Sequence, residues 1–263
     1  MMLKGGEQLK LYGDFTKEDW LQFLGVEEHN IPSTFIIHGE FDPTYNLTHW
    51  TKLLCEDRWL PKWNSIIGLH NGKRLGFANV YGSPSAALIT HQFASAGTTQ
   101  FIQTGYCGGL SLKINYGDIL IVREAEMQDG TAHWYLPNEK TVTSSESLVS
   151  AAVDYCEKKG YSYVVGRVLS TSAMLIETSE MVNDWASNGH IGVDMETGTT
   201  LAVAKKFNKK AIGLLNISDH LVHGDTLYSY TKERECIEAE TDAKIRDLAL
   251  YLASLLFLNN GTL

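Results

Sequence analysis

The sequence predicts an α/β fold in a single domain, and three observations carry that expectation. Short apolar runs recur at residues 34–37, 101–104, 119–122, 164–169 and 211–217, the length of strands buried on both faces. Between them lie helical stretches at 86–96, 147–159, 197–207 and 232–257, so strands and helices alternate as they do in layered α/β domains. No linker, internal repeat or low-complexity tract divides the 263 residues.

The totals exclude several classes of function. Basic residues are outnumbered 22 to 31 by acidic ones and are scattered, which leaves no track for a nucleic-acid backbone. Cys55, Cys107, Cys156 and Cys236 are far apart and form no metal-ligand pair, so free thiols in a reducing compartment are expected. The first ten residues lack the apolar core of a signal peptide and no apolar run is long enough to cross a bilayer. A cytoplasmic protein without nucleic-acid or membrane partners is therefore expected.

Taken in order, residues 1–33 read as a polar and aromatic N-terminal arm with a short helix over 16–24, and residues 34–263 as one domain. The first strand, 34–37, breaks at His38-Gly39-Glu40-Phe41-Asp42-Pro43, where a glycine turn offers bare N–H groups to an anion. Runs at 65–69 and 75–80 flank Asn71-Gly72 and read as a hairpin. Ser83-Pro84-Ser85 opens the helix over 86–96, with serine as the expected cap and proline in the first turn.

The strand at 101–104 is expected to end on Gly105-Tyr106-Cys107-Gly108-Gly109, where three glycines either admit a ligand to the backbone or permit a tight turn. Tyr116-Gly117-Asp118 leads into the strand at 119–122. The aromatic run His133-Trp134-Tyr135 is expected in the core or at a subunit contact. Gly160 stops the helix over 147–159, and the strand at 164–169 ends on Ser170-Thr171-Ser172.

Chemistry concentrates between Gly192 and His220. Asp194-Met195-Glu196 stands at a helix mouth, and the run at 211–217 ends on Ser218-Asp219-His220. Open α/β sheets bind ligands at the carboxyl ends of their strands, so Gly39, Gly105, Ser170 and Asp219 are expected to gather with Glu196 in one crevice. Partial burial would raise the pKa of Asp219 and make it a proton donor, whereas a plain helix cap is the structural alternative. Glu196 either supports a helix start or accepts hydrogen bonds from vicinal hydroxyls. The histidines show no H-x-x-x-H spacing and no G-x-S-x-G elbow is present, so neither a metal nor a serine nucleophile is predicted.

Five motifs in fixed order carry a family resemblance: G-S-P-S-A-A-L at 82–88, F-I-Q-T-G-Y-C-G-G-L at 101–110, Y-G-D-I-L-I at 116–121, V-D-M-E-T at 193–197 and N-I-S-D-H at 216–220. Together they resemble the nucleoside phosphorylase superfamily, which includes hexameric purine nucleoside phosphorylases and uridine phosphorylases. The resemblance implies a three-layer α/β/α fold around a central mixed, partly barrel-like sheet, and a homo-oligomer, either a dimer or a trimer of dimers.

It also implies roles for particular residues. Glu196 would bind the ribose hydroxyls with Met195 packed on the sugar, Met174 and Ser218 would lie by the base, and Asp219 would be the general acid for a purine-type nucleoside. The phosphate or water site would be built from Gly39, Arg58, Gln103, Gly105 and Tyr106. Phosphorylases of this family carry arginine at the position of Gln103, serine or threonine at that of Tyr106, and usually a second arginine after the glycine aligned with Gly39. Here the last region is acidic, and a neutral amide cannot replace the bidentate guanidinium contact.

Two alternatives follow from those departures. Related hydrolytic nucleosidases act on methylthioadenosine or AMP; the methylthioadenosine enzymes activate water with a glutamate near the first glycine turn, a role open to Glu40 or Asp42. A nucleoside-binding protein without catalysis is the other. No cofactor is expected; inorganic phosphate would be the co-substrate of a phosphorolytic enzyme.

Overall fold

A computed structural model describes residues 10–42, 44–60 and 64–256. Pro43, the ends of the chain and Phe257, where the last helix was expected to finish, lie outside the described residues. Ten strands form one mixed sheet: β1 (Thr34–Gly39), β2 (Cys55–Leu60), β3 (Ser65–His70), β4 (Lys73–Val80), β5 (Gln100–Gly109), β6 (Ile119–Gln128), β7 (Thr141–Thr143), β8 (Tyr163–Thr171), β9 (His190–Asp194) and β10 (Lys210–Asp219). The helices are α1 (Lys17–Leu24), α2 (Thr44–Leu53), α3 (Ser83–Ala96), α4 (Ala132–Tyr135), α5 (Glu146–Lys159), α6 (Ser179–Ser187), α7 (Thr197–Lys206) and α8 (Lys232–Leu255).

The apolar runs become strands that are covered on both sides. Along β1, Phe35 and Ile37 point into one core, with Trp20, Phe93 and Leu201, whereas Ile36 points into the other, with Trp50, Leu148 and Leu248. This two-residue period places α1, α3 and α7 on one face and α2, α5 and α8 on the other, which gives three layers. β5 pairs with β10, β10 with β6, β6 with β8, β8 with β9, and β9 returns to β5, so part of the sheet closes into a barrel. Trp20 and Leu24 of α1 are buried against the main core, so this helix lies on the sheet layers.

The expected hairpin forms, with Asn71 and Gly72 both at positive φ between β3 and β4. Two expectations are corrected. The glycine run after residue 104 does not turn but continues β5 to Gly109, because the extra length pairs with β10 and β9. The cap position of α3 is Gly82 rather than a serine; Ser83 is buried and donates from Oγ to the carbonyl of Asp129 at 3.2 Å. Of the aromatic run expected in the core or at a subunit contact, Trp134 is 79% exposed and so outside the core of this chain, while Tyr135 is held by His91 at 3.1 Å.

No helix among the described residues is long and apolar enough to cross a membrane. All four cysteines are free thiols, Cys107 and Cys156 buried and Cys55 and Cys236 exposed.

Candidate active site

β1, β5 and β10 run parallel, so their carboxyl ends open on one edge of the sheet. There they enclose a cavity of about 550 Å³. β1 contributes Gly39, followed by Glu40, β5 contributes Tyr106 and Gly108, β9 contributes Val193 and Asp194, and β10 contributes Ser218 and Asp219. Met174, Met195 and Glu196 line it as well, whereas Ser170, also expected in this crevice, is fully buried and spends its hydroxyl on Asp194.

Close backbone approach explains why β1 ends on a glycine and why β5 places another directly beside it. Gly105 has φ of +143°, and a Cβ there would lie 2.6 Å from the carbonyl oxygen of Gly39. A Cβ on Gly39 would in turn lie 2.5 Å from Glu196 Oε2, so the bare backbone makes room for the acidic side chain.

Glu196 stands at the first position before α7 but does not cap it with its side chain. Asp194 takes that part: its Oδ2 accepts from the Thr197 N–H at 2.8 Å and its Oδ1 from Ser170 Oγ at 2.5 Å. Released from capping, Glu196 reaches across to accept from the Gly82 N–H at 2.6 Å. Burial, followed by the neighbouring Asp194 carboxyl, pushes its pKa up to about 8. Asp194 is also raised, by burial, against the opposing pull of its Ser170 and Thr197 hydrogen bonds.

Asp219 ends β10 and accepts from Ser218 Oγ at 2.7 Å. Burial raises its pKa, while the Ser218 hydrogen bond and the Arg234 charge hold it down. Arg234 donates to the Ser218 carbonyl and lies between the rings of Tyr116 and Tyr230, 4.8 and 4.5 Å from their centroids. These contacts fix the strand end that carries the acid.

At the other end of the cavity, Asn46 donates to Glu40 Oε2 at 2.9 Å, and the buried His38 ring lies 3.4 Å from the same oxygen. Tyr106 donates its hydroxyl to Asp242 at 2.7 Å. Glu238 of α8 enters beside them; burial, then Asp242, Glu40 and Asp219, push its pKa up to about 8. Asp42 is exposed and accepts from the Thr44 N–H at 2.8 Å, which lowers its pKa.

Three members of the expected phosphate or water site do not line the cavity. Gln103 is fully buried and its amide is engaged, accepting from Thr200 Oγ1 at 2.6 Å and donating to the Thr104 carbonyl at 2.9 Å. Gly105 lies beside Gly39 on the neighbouring strand, outside the lining, and Arg58 is exposed on β2, the edge strand. Among the described residues the lining therefore holds seven carboxyl groups, from Glu40, Asp42, Glu177, Asp194, Glu196, Asp219 and Glu238, and no lysine or arginine.

Sequence reading did not single out Glu177, Glu238 or Arg234. Glu177 follows a one-turn 3-10 helix, and the other two sit on α8, which has only the pattern of an ordinary amphipathic helix.

The profile of the phosphorylase superfamily matches residues 61–251. A guanosine phosphorylase from Halorubrum lacusprofundi is 25% identical over 206 residues, which cover 77% of this chain and 84% of the relative. A purine nucleoside phosphorylase of the DeoD type from Clostridium novyi is 26% identical over 241 residues, covering 88% and 98%. The crystal structure of a uridine phosphorylase from Vibrio fischeri ES114 superposes with a TM-score of 0.73 at 19% identity over 87% of this chain and 93% of the other, which is a likeness of fold.

Proposed function

Since the chain belongs to the phosphorylase superfamily, we propose that it is an enzyme that cleaves the N-glycosidic bond of a purine-type nucleoside and that water is the nucleophile. The observation that carries the choice of water is the cavity lining, seven carboxyl groups with no lysine or arginine among the described residues. A dianionic phosphate requires charge-assisted donors, and no lysine or arginine of the lining supplies them. The same walls favour a sugar that turns cationic as the bond breaks.

The roles follow the cavity from end to end. Glu196, as the carboxylate, accepts hydrogen bonds from the ribose hydroxyls while Met195 packs on the sugar. As the C1′–N9 bond breaks, its electron pair passes into the base. Asp219, whose pKa burial raises, delivers a proton to a ring nitrogen of the leaving purine. Water attacks C1′ and gives a proton to Glu40, which Asn46 holds in place. The products are ribose and the free base, and the proton on Glu40 balances the one lost by Asp219.

Phosphorolysis is the second reading, favoured by the phosphorylase names of the relatives. It requires a cation from elsewhere, such as Arg58 of a second copy in the expected homo-oligomer. Release of base from a purine nucleoside panel in phosphate-free buffer, compared with the same buffer containing phosphate, separates the two. Full turnover without phosphate is expected; strict dependence on phosphate would replace water with phosphorolysis, and no base release under either condition would leave a nucleoside-binding protein.

A further inference from the structure

Glu177 has no part in the chemistry above, yet it stands inside the cavity. It follows the 3-10 turn Met174–Ile176, and its N–H donates to the Met174 carbonyl at 3.2 Å. Residues three apart on such a turn eclipse one another, so Met174 and Glu177 face the cavity together while Leu175 and Ile176 are 86% and 68% exposed. No hydrogen bond or ion pair within the described residues engages the Glu177 carboxyl. Burial pushes its pKa up to about 7, and Asp219 is the one other carboxyl of the cavity whose charge acts on it. The turn it shares with Met174 puts Glu177 at the end of the cavity where the proposed function seats the base.

We propose that Glu177 reads the substituent at position 6 of the purine, beside the N7 atom that Asp219 protonates, and so selects 6-amino over 6-oxo nucleosides. The proposal rests on the N-glycosidic reading above. N7 shares the five-membered ring with N9, so a proton placed there takes up the electron pair released by bond cleavage. On the same edge of the base, adenine presents N7 as an acceptor next to an N6 donor, whereas guanine and hypoxanthine present N7 next to an O6 acceptor. A carboxylate only accepts. With Asp219 donating to N7, an ionised Glu177 satisfies the adenine edge and meets O6 with a like partial charge. A site that leaves a polar pair unmatched rejects the wrong substrate far more strongly than one that merely differs in size.

The test compares kcat/KM for adenosine and inosine at pH 8.5, where Glu177 is ionised, in wild type, Glu177→Gln and Glu177→Leu. Wild type should favour adenosine by at least about tenfold. In Glu177→Gln, whose amide both donates and accepts, the ratio should fall to within about threefold of one. Glu177→Leu should lose adenosine turnover more than inosine turnover. Melting curves verify that each variant is folded, and if either fails, calorimetric binding of adenine against hypoxanthine to wild type reads the same preference. A wild-type preference for inosine, or an unchanged ratio in the folded variants, would overturn the assignment. Absence of base release from every nucleoside would remove the function itself and this proposal with it, an outcome distinct from release without discrimination.

Discussion

In the proposed mechanism Asp219 and Glu196 answer opposite demands on protonation. The acid must hold its proton and the sugar ligand must be ionised, although burial raises both pKa values. Asp219→Asn should keep the melting temperature of wild type and lower kcat by about 10²–10⁴-fold, the range for removing a positioned general acid. Because the Asp219 pKa is raised, its donor form persists above the ordinary carboxylate range and is lost as pH rises further. The pH profile of kcat should therefore show an alkaline limb that Asp219→Asn abolishes. Gly39→Ala should displace Glu196, raising KM more than it lowers stability; an unchanged KM would contradict the close approach of the two residues. At this scale the sequence was legible where an acidic residue sits on a motif, since Asp219 and the Asp194-Met195-Glu196 triplet line the cavity as expected. Glu177 and Glu238 were not, since nothing local distinguishes a cavity carboxylate from a solvated one until the chain folds.

Element by element, legibility follows burial. Runs such as Phe35-Ile36-Ile37 and the apolar stretch of β10 announce themselves because both faces of each strand meet a core. α2 does not, since its buried residues are only Asn46 and Trp50, and neither does β2, five of whose six residues are exposed. β9 is five residues long and interrupted by Gly192, too little for periodicity to register. The continuation of β5 through its glycines came from pairing with distant strands, which local turn chemistry does not foresee. Its weak point is Gly105. Gly105→Ala places a Cβ at an unfavourable positive φ against the Gly39 backbone and should cost on the order of 1–3 kcal/mol, read as a lower midpoint in urea unfolding.

For the whole molecule, the acidic cavity trades stability for a site. Glu177, Glu196 and Glu238 have folded pKa values of about 7, 8 and 8, above the roughly 4.3 of an unfolded glutamate. The folded state therefore binds more protons, so this contribution is complete below the unfolded value and is lost as pH rises through the folded ones. The melting temperature of the ligand-free protein should fall between pH 6 and pH 9, and Glu238→Gln should flatten that decline. A melting temperature that rises over this range would contradict the cavity electrostatics. The alternation of strands and helices made the layered architecture legible in the sequence. Closure of the barrel was implied only by resemblance, since it depends on β9 returning to β5.

The source of the oxygen that arrives at C1′ tests the central claim most directly. Cleavage of adenosine in ¹⁸O-water containing phosphate, followed by mass spectrometry of the sugar, should give ribose carrying one ¹⁸O at C1 and no ribose 1-phosphate. Ribose 1-phosphate as the initial product would contradict water as the nucleophile in this carboxylate-lined cavity.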